Sequence, residues 1–245
     1  MVEPAPCCMD HREHYRLDAE LFDYADTSDR LSADFDRRLH SGILRKLQGG
    51  GILADVGSGD GWVSSFLAGK RFQVIHFDLS HANLRRIVER RGDVNGPAAA
   101  VADAYSIPLR GGAADAVILS EVLEHLEDPA RAIRETARLL KPGGRLLIAA
   151  PYREKIRYYL CIHCNRMTPA NAHLHSFDEG KLGALLDDGG FDVASRSLIG
   201  CRLFLVTRAS YLLRWLPFGV WRLFDRAFGL AAGKFMNIVV SARRR

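Results

Sequence analysis

The sequence has no long apolar run. No window reaches the ~18 apolar residues of a membrane-spanning helix, and the opening MVEPAPCCMDHREHYR holds no apolar stretch of signal-peptide length. Cysteine is scarce: only Cys7, Cys8, Cys161, Cys164 and Cys201. An odd count without an export signal argues against a disulfide scaffold and for a reducing, cytoplasmic setting. Charge of one sign is not concentrated either. The net charge of +5 is mild, and part of it lies in the terminal RRR. No basic run is large enough to argue for nucleic acid. No unit recurs at a fixed period, which excludes solenoids and propellers. What is left is a chain of 245 residues, 48% apolar and 26% charged. That is the balance of a soluble globular protein, long enough for one large α/β domain or two small ones.

Along the chain, Leu31, Phe35, Leu39, Ile43, Leu44 and Leu47 recur at spacings of three and four. They predict an amphipathic helix within an N-terminal helical lead over residues 1–50. GGGILADVGSGDG then reads as turn, short buried strand and glycine loop. QVIHFDLS is a second strand, followed by the helical HANLRRIVERR; PAAAVADA is a weak third. ADAVILSEVLEHL is a strong fourth strand running into a helix, and GRLLIAAPY is a fifth. In DPARAIRETARLLKPGG, Asp128 is a candidate N-cap with Pro129 at N1, and the glycines mark the stop. Strands alternating with helices imply right-handed crossovers and a parallel sheet. Ligands of such sheets bind beyond the carboxyl ends of the strands. Those ends are residues 57–61, Asp78, Asp103 with Ala104, residues 120–125, and Tyr152.

Gly57, Gly59 and Gly61 alternate directly after an apolar strand. Without a Cβ, backbone and ligand can approach closely. Asp78 ends the second strand, where an acid can accept hydrogen bonds from ribose hydroxyls. With Ser80 it also makes good helix-capping chemistry. Asp103 is placed to accept from an adenine amine.

LADVGSGDGWVSSFLA, VIHFDLS, VADAYSIPL and DAVILSEVLEHLEDPARAIRETARLLKPGGRLLIAAPY resemble the class I S-adenosylmethionine-dependent methyltransferases. The likeness is nearest to the branch that methylates small molecules, lipids and sugars, and it resumes at HLHSFDEGKLGALLDDGGFDV. It implies a Rossmann-like α/β domain over residues 51–245: a seven-stranded, mostly parallel sheet with helices on both faces. It implies Asp55 near the methionine amine, through loop geometry or water, with Gly57, Ser58, Gly59 and Gly61 under the methionine moiety. Asp78 would bind ribose, Leu79 would pack on the adenine, Asp103 and Ala104 would edge it, and Ser120 and Glu121 would flank the sulfonium. The charge suits that cofactor. Four carboxylates attract a sulfonium and an α-amine and repel the pyrophosphate of NAD. The loop is also not the G-x-G-x-x-G of dinucleotide binders. A nucleotide-dependent oxidoreductase is therefore the weaker alternative. The other is a non-catalytic S-adenosylmethionine-binding protein acting through a hydrophobic insertion.

For chemistry, His125 is one helical turn past Glu121 if the helix forms. There it is either a general base or a histidine packed behind the site and bonded to Glu121. Tyr152 is a secondary candidate for the same duty. Cys161, Cys164, His173 and His175 offer two thiolates and two imidazoles, the set that closes a tetrahedral structural zinc site. The opposing reading makes them ordinary loop and core residues. Finally, residues 201–233 form an insertion rich in aromatics and arginines, divided by Pro217. It is a lid on the domain, an interfacial segment that touches a membrane or takes a lipid-linked substrate, or a homodimer contact.

Overall fold

The computed structural model describes residues 10–23, 30–67, 71–91, 98–162, 164–207, 213 and 215–245. The first strands are β1 (Gly51–Val56), β2 (Phe72–Asp78), β3 (Ala98–Val101), β4 (Ala114–Ser120) and β5 (Leu140–Pro151). They pair in parallel in the order β3-β2-β1-β4-β5. Order reverses between β1 and β4, and that point opens a crevice at the strand ends. Alternate residues of β4 serve different cores. Val117 and Leu119 pack with Ala54, Ile133 and Leu182, while Ile118 packs with Leu53, Leu39 and Ile43. Burial on both faces explains why the strand reads as a continuous apolar run. Each fully buried side chain of this size contributes about 1.5–3 kcal/mol.

The helices are α1 (His11–Leu21), α2 (Arg30–Leu44), α3 (Trp62–Leu67), α4 (His81–Arg91), α5 (Pro129–Leu139) and α6 (Glu179–Asp188). The lead is thus two helices. Phe35, Leu39 and Ile43 turn the apolar stripe of α2 into the core. Helix α1 is tied to α4 instead: Arg86 donates to the Ala19 carbonyl at 2.7 Å, and Arg90 pairs with Asp23 at 2.7 Å. Asp128 caps α5 by accepting from Arg131 N–H at 3.0 Å, with Pro129 at N1. That helix ends at Leu139, before the glycines expected to stop it, because the chain enters β5 at once.

A two-stranded hairpin, β6 (Tyr158–Leu160) with β7 (Met167–Pro169), stands apart from the main sheet. Strand β8 (Phe191–Cys201) leads through the insertion, α7 (Arg202–Val206) and α8 (Phe218–Ala232), to β9 (Phe235–Arg244). Strand β9 runs antiparallel between β5 and β8 and completes seven strands. Arg208, Leu212 and Arg214 of the insertion lie outside the described residues, as do Cys7 and Cys8.

Helix α8 buries Trp221, Asp225 and Gly229, one residue per turn. The Asp225 carboxylate accepts from the Gly200 and Cys201 N–H groups at 3.2 and 2.5 Å and pairs with Arg222 at 2.8 Å. A Cβ at Gly229 would lie 2.2 Å from the Phe235 ring, so glycine lets the helix close on the sheet. This face packs as a lid would, over the sheet edge. The opposite face leaves Val220, Leu223, Phe224, Phe228 and Leu230 between 42% and 69% exposed. Among the described residues, no helix is long and apolar enough to cross a membrane.

Candidate active site

One cavity of about 1280 Å³ opens at the carboxyl ends of β1, β2 and β4. Ligand pockets usually span ~300–1,000 Å³, so this one has room for two molecules side by side. The glycine loop forms one wall. Gly57 and Ser58 N–H groups donate to the Phe77 carbonyl at 2.8 and 3.2 Å, which fastens the loop to β2. Gly57 sits at φ 72°, and a Cβ there would lie 2.4 Å from Val122. Asp78 organises the same wall. Its carboxylate accepts from Gly59 N–H at 2.9 Å, Ser80 N–H at 2.8 Å and the Asn83 amide at 3.3 Å. A carboxylate can accept about four hydrogen bonds, so capacity remains for a ribose hydroxyl. Burial raises the Asp78 carboxyl above its ordinary range, against the pull of the Ser80 and Gly59 N–H groups. The capping duty is real too, and Ser80 performs it, accepting from Asn83 N–H at 3.4 Å.

Leu79, Asp103 and Ala104 continue the wall. Asp103 accepts from Tyr105 N–H at 2.9 Å and pairs with Arg12 of α1 at 2.7 Å. The lead helix therefore roofs the end expected to hold adenine. Carboxylates from Asp18, Asp36, Asp60, Asp78, Asp103 and Glu121 line the cavity, and among the described residues no lysine or arginine does. A wall of that sign favours a cation and opposes a pyrophosphate.

The other end begins at Ser120. Glu121 has φ 55°, a left-handed value that stops regular helix. Only a 3-10 turn, Leu123–His125, follows where a helix was expected. Glu121 accepts from the Asn237 amide of β9 at 2.8 Å. Its side chain is open to the cavity, and desolvation by the surrounding walls raises its carboxyl above the ordinary range. His125 bonds not to Glu121 but to the Ala172 carbonyl, at 3.4 Å through Nδ1. Burial, then His173, pushes its ring down to about 4, so it is neutral near pH 7. Hairpin residues Tyr158 and Pro169, with Leu126 and Leu174, give this end an apolar lining.

A family model described as a methyltransferase domain matches residues 54–148. A probable S-adenosylmethionine-dependent methyltransferase of Mycobacterium tuberculosis is 31% identical over 178 residues, 69% of this chain and 62% of that one. The chain belongs to the class I S-adenosylmethionine-dependent methyltransferase family. It spans just under two thirds of the mycobacterial protein's length. A ubiquinone biosynthesis O-methyltransferase of Xanthomonas oryzae pv. oryzae is 32% identical over 133 residues, 51% of this chain and 54% of that one. The fold matches geranyl diphosphate C-methyltransferase from Streptomyces coelicolor A3(2) with a TM-score of 0.64, covering 98% and 100% of the two chains at 18% identity.

The structure gathers Gly57, Ser58, Gly59, Asp78, Leu79, Asp103, Ala104, Ser120, Glu121 and His125 around one cavity. Three expected residues are elsewhere. Asp55 points below the loop, 3.0 Å from His76 Nδ1, and His76 Nε2 lies 2.6 Å from Ser64 Oγ. That buried row lies beneath the loop, outside the cavity lining. Gly61 packs against Ile87 behind the wall. The Tyr152 hydroxyl donates to the Glu179 carboxylate at 2.9 Å, outside the cavity, because the residue after β5 turns toward α6.

The expected zinc ligands are not brought together. Cys161 and Cys164 lie in the turn of the β6–β7 hairpin, which closes on itself through Cys161 N–H to the Arg166 carbonyl at 2.9 Å. His173 Nδ1 meets Glu154, and His175 Nε2 is buried without a hydrogen-bond partner. Among the described residues, the set of side chains close enough to share a metal is instead Glu124, His125 and His173.

Sequence reasoning missed the roof and the floor. The Tyr15 ring of α1 and the His125 ring meet edge to face with centres 5.2 Å apart, and His40 of α2 stacks on Trp62 at 3.8 Å. Burial pushes His40 down to about 4 as well. The one available signal was ring-rich HREHYR after a capping Asp10, a poor match to an ordinary solvated helix.

Proposed function

We infer that this chain transfers a methyl group from S-adenosylmethionine to a small, partly apolar acceptor. The observation that carries this is the carboxylate-lined cavity, with the glycine loop and Asp78 at one end and neutral His125 at the other. S-adenosylmethionine supplies a methyl carbon activated for in-line displacement. The protein's share is placement and charge. Asp78 would hold ribose, and the loop would pass beneath the methionine moiety. Glu121 and Ser120 would sit at the positive centre, where a cation beside Glu121 favours its ionised form and the proton leaves to solvent. The Nε2 lone pair of His125 faces the acceptor end and is available when the acceptor must lose a proton. The relative named for ubiquinone biosynthesis supports a lipid-like acceptor, as does the apolar lining of Tyr158, Pro169 and Leu174.

Titration with S-adenosylhomocysteine tests the cofactor. It should bind, and Asp78→Ala should weaken it by about 1–3 kcal/mol, the worth of a charged hydrogen bond. Heat with NADH but with neither S-adenosyl ligand would overturn the reading.

The outer face of α8 supports a second element, contact with a lipid surface. Phe224 and Phe228 with Arg226 are what an interfacial helix offers. The protein should sediment with anionic vesicles and come off in high salt, since screening shortens to ~3 Å at 1 M. A compact monomer that ignores every vesicle would leave α8 as a lid alone.

A further inference from the structure

Glu124 is an anomaly just behind the cavity lining. It is fully buried, and neither carboxylate oxygen has a hydrogen-bond partner. A buried carboxylate without donors is costly, so such a group calls for a cation or a proton. Two histidines stand beside it. One ligand-capable atom from each of Glu124, His125 and His173 lies within 4.8 Å of the other two. The His125 and His173 rings are 4.8 Å apart, centre to centre. His125 Nε2 is 3.9 Å from Glu124 Oε1, too long for a hydrogen bond and short enough to share an ion.

The outer atoms of both rings are already committed. His125 Nδ1 bonds to the Ala172 carbonyl, and His173 Nδ1 contacts the Glu154 carboxylate. An oxygen on Nδ1 fixes the tautomer that leaves the Nε2 lone pair free. This is the supporting shell found behind metal-binding histidines, carboxylate–histidine–metal included. The cluster is also locked in backbone. Glu124 carbonyl accepts from Leu174 and His175 N–H at 2.7 and 3.1 Å, which clamps the segment bearing His173 onto the turn bearing Glu124 and His125.

We propose that Glu124, His125 and His173 bind one divalent first-row transition-metal ion at the acceptor end of the cavity. Two imidazoles and one carboxylate suit that class of ion better than magnesium or calcium, which prefer oxygen. Three protein ligands leave coordination positions open, and His125 and His173 both line the cavity. A hydroxyl or other oxygen of the acceptor would complete the shell. The ion would then lower the pKa of a bound hydroxyl, and His125 would hold the metal instead of acting as a free base. This deepens the methyltransferase reading and rests on it only for the acceptor's role. Metal binding is a separate observable.

The test is Co2+ titration of the full chain, purified without a histidine tag and stripped with chelator. A visible d–d absorption should saturate at about one equivalent, and Zn2+ should displace it. Glu124→Gln, which keeps side-chain volume, and His173→Ala should each weaken Co2+ at least tenfold. Glu154→Gln should weaken it about 10–100-fold through the supporting shell. Cys164→Ser should change nothing. S-adenosylhomocysteine titration of each variant reports that it is folded, so failure of the metal and failure of the cofactor are told apart. No saturable Co2+ or Zn2+ binding by wild type overturns the proposal whatever the variants do. So does binding that survives Glu124→Gln and His173→Ala but is lost in Cys164→Ser.

Discussion

Methyl transfer by His125→Ala should fall about 10²-fold or more, while S-adenosylhomocysteine binds nearly as tightly as to wild type. The ring lies at the acceptor end, joined to Ala172 and His173, and among the described residues its hydrogen bond goes to Ala172 rather than to the loop or Asp78. Its loss should therefore act on turnover of any acceptor that wild type methylates, not on the cofactor. The same variant should alter the pH dependence of stability in a defined direction. Burial holds the ring's pKa at about 4 in the fold, against an ordinary 6.5. Between those values the unfolded chain binds the proton and the folded one does not. Stability thus rises with pH across that window, and is lost as pH falls from 6.5 toward 4. His125→Ala removes that contribution, so its urea midpoint should depend less on pH there. If affinity for S-adenosylhomocysteine, stability and turnover fell in parallel, His125 would be a packing residue.

The cofactor half of the cavity was legible because it is built from sequence neighbours of strand ends. An apolar run followed by Gly57, Gly59 and Gly61 has few folds open to it, and Asp78 and Asp103 follow once the strands alternate with helices. The contacts that close the cavity come from distant segments. Arg12 meets Asp103 across 91 residues, and Asn237 of the last strand meets Glu121 across 116. No local pattern announces either contact. Periodicity failed where one residue decided the matter: SEVLEHL has helical spacing, yet the left-handed Glu121 reduces it to a single turn. The cysteine–histidine spacing failed differently. It fitted a metal site on paper, but the β6–β7 hairpin turns the cysteines into its own loop. His173 then joins Glu124 and His125, a trio that no spacing rule selects. In the insertion, hydropathy named the aromatics and overlooked Asp225, the acid that fastens α8 to β8.

Gly57→Ala should disable the cofactor site more thoroughly than any single polar substitution. Two costs add. At φ 72° the new side chain must adopt the left-handed region, at about 1–2 kcal/mol for a non-glycine residue. Its Cβ would also stand 2.4 Å from Val122 Cγ2. Val122 is branched at Cβ and has few rotamers to retreat into. Its backbone follows the left-handed Glu121, which Asn237 holds from β9. Overpacking of this kind typically costs about 1–3 kcal/mol. The loop can escape only by leaving Phe77, the contact that sets its place on β2. We therefore expect destabilisation of about 2–5 kcal/mol and loss of measurable S-adenosylhomocysteine binding. The two costs can be separated. Gly57→Ala with Val122→Ala should regain the steric share and keep the backbone share, so a double-mutant cycle in urea should show coupling of about 1–3 kcal/mol. Additive effects, or a Gly57→Ala chain that binds like wild type, would mean that the loop tolerates a side chain and that Asp78 alone places the cofactor.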